Sequence, residues 1–376
     1  MVQRILEAGE IESLDHNAIP RLLLPQAAGA FTARAARLRQ LAKGDVTGTP
    51  VGATLGGYLT LMAALVDAQA VVSAALPKDA VTLPPLADMQ QAHAHHMPLI
   101  PVNGERDPVW RRIFASLLDH LDTIAQSQPQ LTQVLGELRD LNDSALDACA
   151  DAVLAEDGAA VNPLHAPFVA AALQVLWTVQ AGMLHALEVP VLETGTLCPV
   201  CGSHPVASAI RIGGQSQGYR YLQCGICSSE WHMVRVKCST CESNSQIAYR
   251  SLDPIDAAEP LVAVDGAIDA SALAQTAKPR NKANDPKKVA RAETCEDCHT
   301  YRKIFNQEHD YHIEPLADDL ASLTLDLLVS EAGYARASGN PLLWFSAEGY
   351  CFWGARRLAR PAPALSNWIL IASLLH

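Results

Sequence analysis

Hydrophobic residues recur at helical spacing through the first half of the chain and at strand spacing through the stretch that follows. Phe31, Ala35, Leu38 and Leu41 form one helical stripe, and Lys43-Gly44 supplies a C-terminal stop. Tyr58, Met62 and Leu65 mark a longer Ala/Leu-rich helix that ends before Pro77. Asp107-Pro108 reads as an N-cap followed by proline at the first helical position. Trp110, Ile113, Phe114, Leu117 and Leu121 then share a face. Further helices are expected over about 131–154 and 167–187. Residues 1–190 thus predict an all-α, bundle-like domain.

The period changes at Val189-Pro190. Ile210 and Ile212, Tyr219 and Tyr221, and Trp231 and Met233 alternate in short runs, with Gly213-Gly214 and Gly218 between them. That is the pattern of a small antiparallel ribbon over 191–236. A second ribbon, 237–344, shows strand-like stretches at 247–250, 261–264 and 311–313. It also carries an Ala-, Lys- and Asn-rich insert near 265–292 that reads as a mobile loop. Asp318 or Asp319 is the expected cap of a helix over 318–333, carrying Leu320, Leu323 and Leu327 and stopping near Gly333. Residues 345–376 are aromatic and proline-broken and predict no element. The fold class is α+β and multidomain: a helical N-terminal domain, two small β modules and a C-terminal helix.

The β modules contain the chemistry. Eight of the ten cysteines form four Cys-x-x-Cys pairs: Cys198/Cys201, Cys224/Cys227, Cys238/Cys241 and Cys295/Cys298. Two thiolates at i and i+3 grip one metal ion from a tight knuckle, and two knuckles complete a tetrahedral site. Sequential pairing joins the first two knuckles across 22 residues and the last two across 53, as independent ribbons in tandem. Crossed pairing needs interleaved chains. The modules are too small for their own cores, so metal must supply much of their folding free energy. Four cysteines suit zinc or a single iron equally. A four-iron cluster fits paired knuckles less well, and no βαβ unit surrounds them as a thioredoxin-type redox pair requires.

Gly202 follows the second cysteine of the first knuckle, where glycine lets backbone N–H groups approach sulfur. Ser228, Glu242 and His299 hold that place in the others, which predicts less regular N–H···S geometry and more labile metal there. The insert makes the second site the more labile of the two. His204, His232 and His299 lie near knuckles and are expected to hydrogen-bond around the thiolates. His93, His95 and His96 read as a solvated helix face with a metal role as the alternative, and Cys149 as a small buried hydrophobe.

The start of the chain has early acids and no apolar stretch, so no signal peptide is expected. A reducing, cytoplasmic setting follows, where cysteine pairs are ligands and not disulfides. Residues 166–187 are apolar but interrupted by Gln174, Gln180 and His185. Residues 368–375 fall far short of the roughly 20 a membrane span needs. The net charge of −12 argues against general nucleic-acid binding, although residues 198–303 balance at +2 and the remainder at −14. A tetrathiolate site is −2 with a divalent ion, so the local bases partly offset it. No phosphate loop, dinucleotide fingerprint, nucleophile elbow or paired carboxylates are visible, so no enzyme active site is expected.

At the knuckles the chain resembles the formate dehydrogenase accessory protein family, FdhE. The likeness rests on Cys198-Pro-Val-Cys-Gly-Ser-His-Pro-Val-Ala-Ser, Tyr221-Leu-Gln-Cys-Gly-Ile-Cys, Trp231-His, Lys237-Cys-Ser-Thr-Cys and Ala292-Glu-Thr-Cys-Glu-Asp-Cys-His. It extends to Arg34-Ala-Ala-Arg-Leu-Arg-Gln-Leu-Ala upstream, and to Asp318-Asp319-Leu-Ala-Ser-Leu-Thr-Leu-Asp-Leu-Leu and Gly339-Asn-Pro downstream. The resemblance implies a cytoplasmic accessory factor that contacts the formate dehydrogenase catalytic subunit. It also implies two rubredoxin-like or zinc-ribbon modules, each with iron, or zinc instead. Cys198, Cys201, Cys224 and Cys227 would hold one ion, and Cys238, Cys241, Cys295 and Cys298 the other. The basic stretch near 278–291 and the tail after Leu343 depart from the family pattern. A rubredoxin-like electron carrier and a zinc-ribbon nucleic-acid binder, with Tyr219, Tyr221 and Trp231 against bases, are the rival readings. Metal as a purely structural staple is a third.

Overall fold

The computed structural model describes residues 19–44, 53–77, 79–251 and 288–344. The strand-like stretch at 261–264, nearly all of the insert, Cys351, residues 368–375 and the 345–376 tail lie outside them.

Seven helices build the N-terminal half among the described residues: α1 Ala27–Ala42, α2 Ala53–Ala75, α3 Leu86–Ala94, α4 Val109–Ala125, α5 Pro129–Arg139, α6 Asp143–Leu154 and α7 Ala166–Gly182. The stripe Phe31, Ala35, Leu38 and Leu41 is buried, and Gly44 ends α1 in the left-handed region at φ 71°. The Asp107 carboxylate accepts the N–H of Val109 at 2.9 Å and starts α4. The expected helix over 131–154 is two, because the Asn142 side chain accepts the N–H of Ala145 and caps α6 afresh.

Helix α7 is the axis of this half, buried on every side from Ala166 to Thr178. Its polar residues are satisfied: Gln69 donates to Gln174 Oε1 at 2.9 Å, and Gln174 donates to the Gly225 carbonyl at 2.7 Å. Helix α2 includes Leu55–Ala75, the one described stretch long and apolar enough to cross a membrane, of which 61% is buried within the protein.

The second half is one sheet. Strands β1 Leu22–Leu23, β2 Pro205–Ile210, β3 Arg220–Cys224, β4 Glu230–His232, β5 Ile247–Arg250, β6 Ala290–Cys295 and β7 Thr300–Asn306 run in the order β1-β4-β3-β2-β7-β6-β5. Strand β8, Ala335–Arg336, pairs with β7. The ribbons are therefore not independent. They fuse where β2 and β7 lie parallel, with Ser208 opposite Ile304 and Ile210 opposite Asn306. Because both faces are covered, β2 and β3 are buried at every position, which explains why strict alternation describes them poorly. Strand β6 begins inside the expected insert, since Ala290–Ala292 pair with β7.

Two further expectations fail. Tyr311–Ile313 is a turn, because the Asp310 carboxylate accepts the N–H of His312 and the Asp310 carbonyl that of Ile313. The expected helix over 318–333 is α8 Pro315–Ala321 and α9 Leu323–Glu331. Glu314 is the cap, accepting the Ala317 N–H at 2.8 Å. The Ser322 hydroxyl bonds back to the Asp318 carbonyl at 2.7 Å and breaks the run.

Asp318 and Asp319 instead face inward. Asp318 takes a bidentate pair from Arg37 of α1, which also reaches Asp310 at 2.6 Å. Neighbouring Arg34 pairs with Glu314 at 3.0 Å. Asp319 binds Arg336 at 2.6 Å and Lys303 at 2.9 Å, and Lys303 also meets Asp326 at 2.6 Å. Removing one partner of such a buried network strands the others in low dielectric. Lys303→Met is expected to lower stability by about 3–5 kcal/mol, read as a fall in the guanidinium midpoint.

Candidate metal centres

Each knuckle is a tight turn at a hairpin end, and the sheet decides which knuckles meet. The β2–β3 ribbon brings Cys198 and Cys201 onto Cys224 and Cys227; the β5–β6–β7 ribbon brings Cys238 and Cys241 onto Cys295 and Cys298. In each group the four sulfurs lie within 4.8 Å of one another. Sequential pairing is the geometry observed. Sγ–Sγ separations are 3.5 Å for Cys198–Cys227 and Cys201–Cys224, 3.8 Å for Cys238–Cys298 and 3.7 Å for Cys241–Cys295. A disulfide needs about 2.05 Å. A tetrahedron with metal–sulfur bonds of about 2.3 Å has edges of about 3.8 Å. The donor set therefore fits one tetrahedral thiophilic ion per group.

The turns are alike despite their sequences. Gly202, Ser228, Glu242 and His299 have φ of 78°, 57°, 60° and 51°. A non-glycine residue there costs about 1–2 kcal/mol, and tertiary contacts hold each one. Ser228 accepts from Arg34 at 3.4 Å and meets Thr178 at 3.2 Å. The Glu242 carboxylate takes the Gly195 N–H at 2.7 Å and Lys237 at 2.9 Å, which together hold it below the usual carboxylate range. The His299 carbonyl accepts the Ala335 N–H. N–H···S bonds form at two of the knuckles that lack the glycine. Cys224 Sγ accepts from Ile226 and Cys227 at 3.4 and 3.3 Å, and Cys238 Sγ from Thr240 at 3.4 Å.

The hydroxyls around sulfur come from Ser and Thr, where the sequence pointed to histidine. Ser203 Oγ lies 3.0 Å from Cys201 Sγ and 3.1 Å from Cys224 Sγ. Ser229 sits 3.2 Å from Cys227, and Thr300 3.0 Å from Cys298. The signal was in the chain: a hydroxyl residue stands two after the second cysteine of every knuckle, at Ser203, Ser229, Ser243 and Thr300. His204 is exposed, and His232 packs its ring edge-on with Tyr219 and Tyr221. His93, His95 and His96 form no ligand group among the described residues; His96 caps the Val191 carbonyl at 3.1 Å. Cys149 is half-buried against the helical core, its thiol pushed up to about 11 by burial.

The two groups differ in their surroundings. All four cysteines of the first are buried and belong to the same core as α7. The 100–102 segment pairs with its first knuckle, through Ile100 to the Val200 carbonyl and Val102 to the Cys201 carbonyl. A Cβ at Gly225 would meet Pro341 at 3.0 Å, so the C-terminal segment closes over the second knuckle. Burial holds the Cys198 and Cys227 thiols well above their ordinary value; only a bound cation makes four thiolates stable there. In the second group Cys241 is exposed and Cys298 half-buried.

Family models for FdhE match in three parts: the N-terminal domain over residues 19–193, the central domain over 197–235 and the C-terminal domain over 269–343. The chain belongs to the FdhE family. It is 35% identical to Protein FdhE of Escherichia coli strain K12 over 345 residues, 91% of this chain and 97% of that protein. The figures for Escherichia coli O127:H6 are the same. The crystal structure of the FdhE protein from Pseudomonas aeruginosa matches with TM-score 0.65 at 35% identity, covering 86% of this chain and 99% of that one. Within the FdhE family, then, this chain carries both four-cysteine groups with tetrahedral spacing.

Exposure orders the thiols. In metal-free, folded protein, alkylation followed by mass spectrometry should label Cys241 first and Cys298 next. Cys198, Cys201, Cys224 and Cys227 should react only on unfolding.

Proposed function

We propose that this FdhE-family chain is a cytoplasmic, non-enzymatic accessory protein that binds the immature catalytic subunit of formate dehydrogenase and supports its maturation. The observation that carries the reading is the pair of four-cysteine groups at tetrahedral spacing within this family's fold. Iron is the proposed ion at both, held by Cys198, Cys201, Cys224 and Cys227 and by Cys238, Cys241, Cys295 and Cys298; zinc is the alternative for the same donors. Bound iron would supply a one-electron, oxygen-sensitive couple.

The rest is the work of the chain. The first group, sealed in the helical core, ties the β half to the helices. The second opens to solvent at Cys241, and Val234 and Val236, 51% and 67% exposed, stand just before its first knuckle. An apolar rim beside an open centre suits contact with another protein.

Electron transfer draws on the same exposure of Cys241; zinc in protein isolated from native cells would exclude it. The nucleic-acid reading loses two of its three aromatics among the described residues, because Tyr221 and Trp231 are buried and only Tyr219 is partly exposed; Arg220 and Arg302 are buried too.

Deleting the gene should abolish formate dehydrogenase activity, and full activity in the deletion strain would overturn the reading. Protein purified without oxygen should carry about two iron atoms per chain, and a chelator should strip the second centre first. Val236→Glu should leave metal content intact while weakening capture of the catalytic subunit.

A further inference from the structure

Between the two four-cysteine groups the sheet buries two guanidiniums, Arg220 and Arg302, and one carboxylate, Glu293. Arg302 on β7 is 3% exposed. Its Nε donates to Ser239 Oγ at 2.8 Å and its Nη1 to Ser338 Oγ at 2.7 Å; neither partner is a carboxylate. Arg220 on β3 is wholly buried. It donates to the Val234 and Lys237 carbonyls at 3.4 and 3.0 Å and to Glu293 Oε1 at 2.8 Å.

Two buried guanidiniums and one buried carboxylate therefore bracket Lys237-Cys238-Ser239, the entry to the second centre. Arg220 Nε and the second oxygen of Glu293 have no hydrogen-bond partner. Arg336, which also opposes the charge of Arg302, is already paired to Asp319. Burial, with Arg220 and Arg336, pushes Arg302 down to about 9; the charges of Glu156 and Glu293 oppose this without either carboxylate bonding to the guanidinium. A buried cation with no ion-pair partner is costly, yet Ser239, to which Arg302 donates, directly follows Cys238, a member of the four-thiolate group that would carry two net negative charges around a divalent ion.

We propose that Arg302, seconded by Arg220, is the built-in counter-cation of the second metal centre, so that loading this centre neutralises a charge the metal-free fold buries unpaired. The inference rests on the metal-binding reading above. It gives Arg302 a second consequence. Ser338 passes the contact on to the Pro205 carbonyl at 2.5 Å, and Pro205 is paired with Cys224 of the first centre. Loading the open centre thus tightens the seam between the two ribbons.

A strut and a counter-cation predict opposite signs. If Arg302 only ties Ser239 to Ser338, Arg302→Met weakens the metal-free fold and leaves metal affinity alone. If it is the counter-cation, Arg302→Met leaves the metal-free melting temperature unchanged or raised and weakens the second centre. The test uses the full chain, reduced and metal-free, titrated with Co²⁺ against a competing chelator. The thiolate-to-cobalt absorption bands report loading, and Cys241→Ser identifies the second-centre step.

Arg302→Met should lower second-centre Co²⁺ affinity by about ten-fold or more. Arg302→Lys and Ser239→Ala, which keep the charge, should stay within about three-fold of wild type. Unchanged affinity in Arg302→Met overturns the proposal, as does a metal-free Arg302→Met that fails to fold. A loss in Ser239→Ala equal to that in Arg302→Met also overturns it. Wild-type protein that takes up no second Co²⁺ removes the metal reading itself, and the inference with it.

Discussion

Four sulfurs 3.5–3.8 Å apart are the constraint to which the β half is built. They are too far apart to be disulfides, and burial makes four bare thiolates unfavourable, so the arrangement is worth its cost only around a cation. Everything near the first group serves to hold that spacing: Gln174 and Thr178 from α7, Arg34 from α1, the 100–102 segment and the C-terminal segment over Gly225. The helical domain and the first module share a core because the module has too little apolar surface to bury by itself.

Charge is the second organising term. Arg34 and Arg37 of α1 reach Glu314, Asp310 and Asp318, and Lys303 and Arg336 close on Asp319 and Asp326. These pairs join segments almost 300 residues apart in the chain. Buried ion pairs add little net stability over an apolar core, but they penalise every other arrangement of the same helices. They explain how α1 and α8 find one register across the molecule.

The local elements were largely legible in the chain, and the failures have local causes. Helix stripes such as Trp110 to Leu121 report burial directly, because helical periodicity needs no knowledge of the partner. The breaks at Asn142 and Ser322 come from side chains bonding to backbone, which competes with apolar periodicity and is invisible to it. Strand β7 was missed because its buried Arg302 and Lys303 look like surface residues until their partners are known.

By itself the sequence determined the donor set, since Cys-x-x-Cys spacing is a property of one turn and the knuckles recur four times. It also determined that the first half is helical, because that signal is local. Only the tertiary structure decided which knuckles meet, that the two ribbons are a single sheet, and that the first centre is sealed and the second open. It also showed that Asp318 and Asp319 are buried ion-pair partners, and that the N-cap is Glu314. Those outcomes depend on contacts between residues tens to hundreds of positions apart, and such contacts leave no period in the chain.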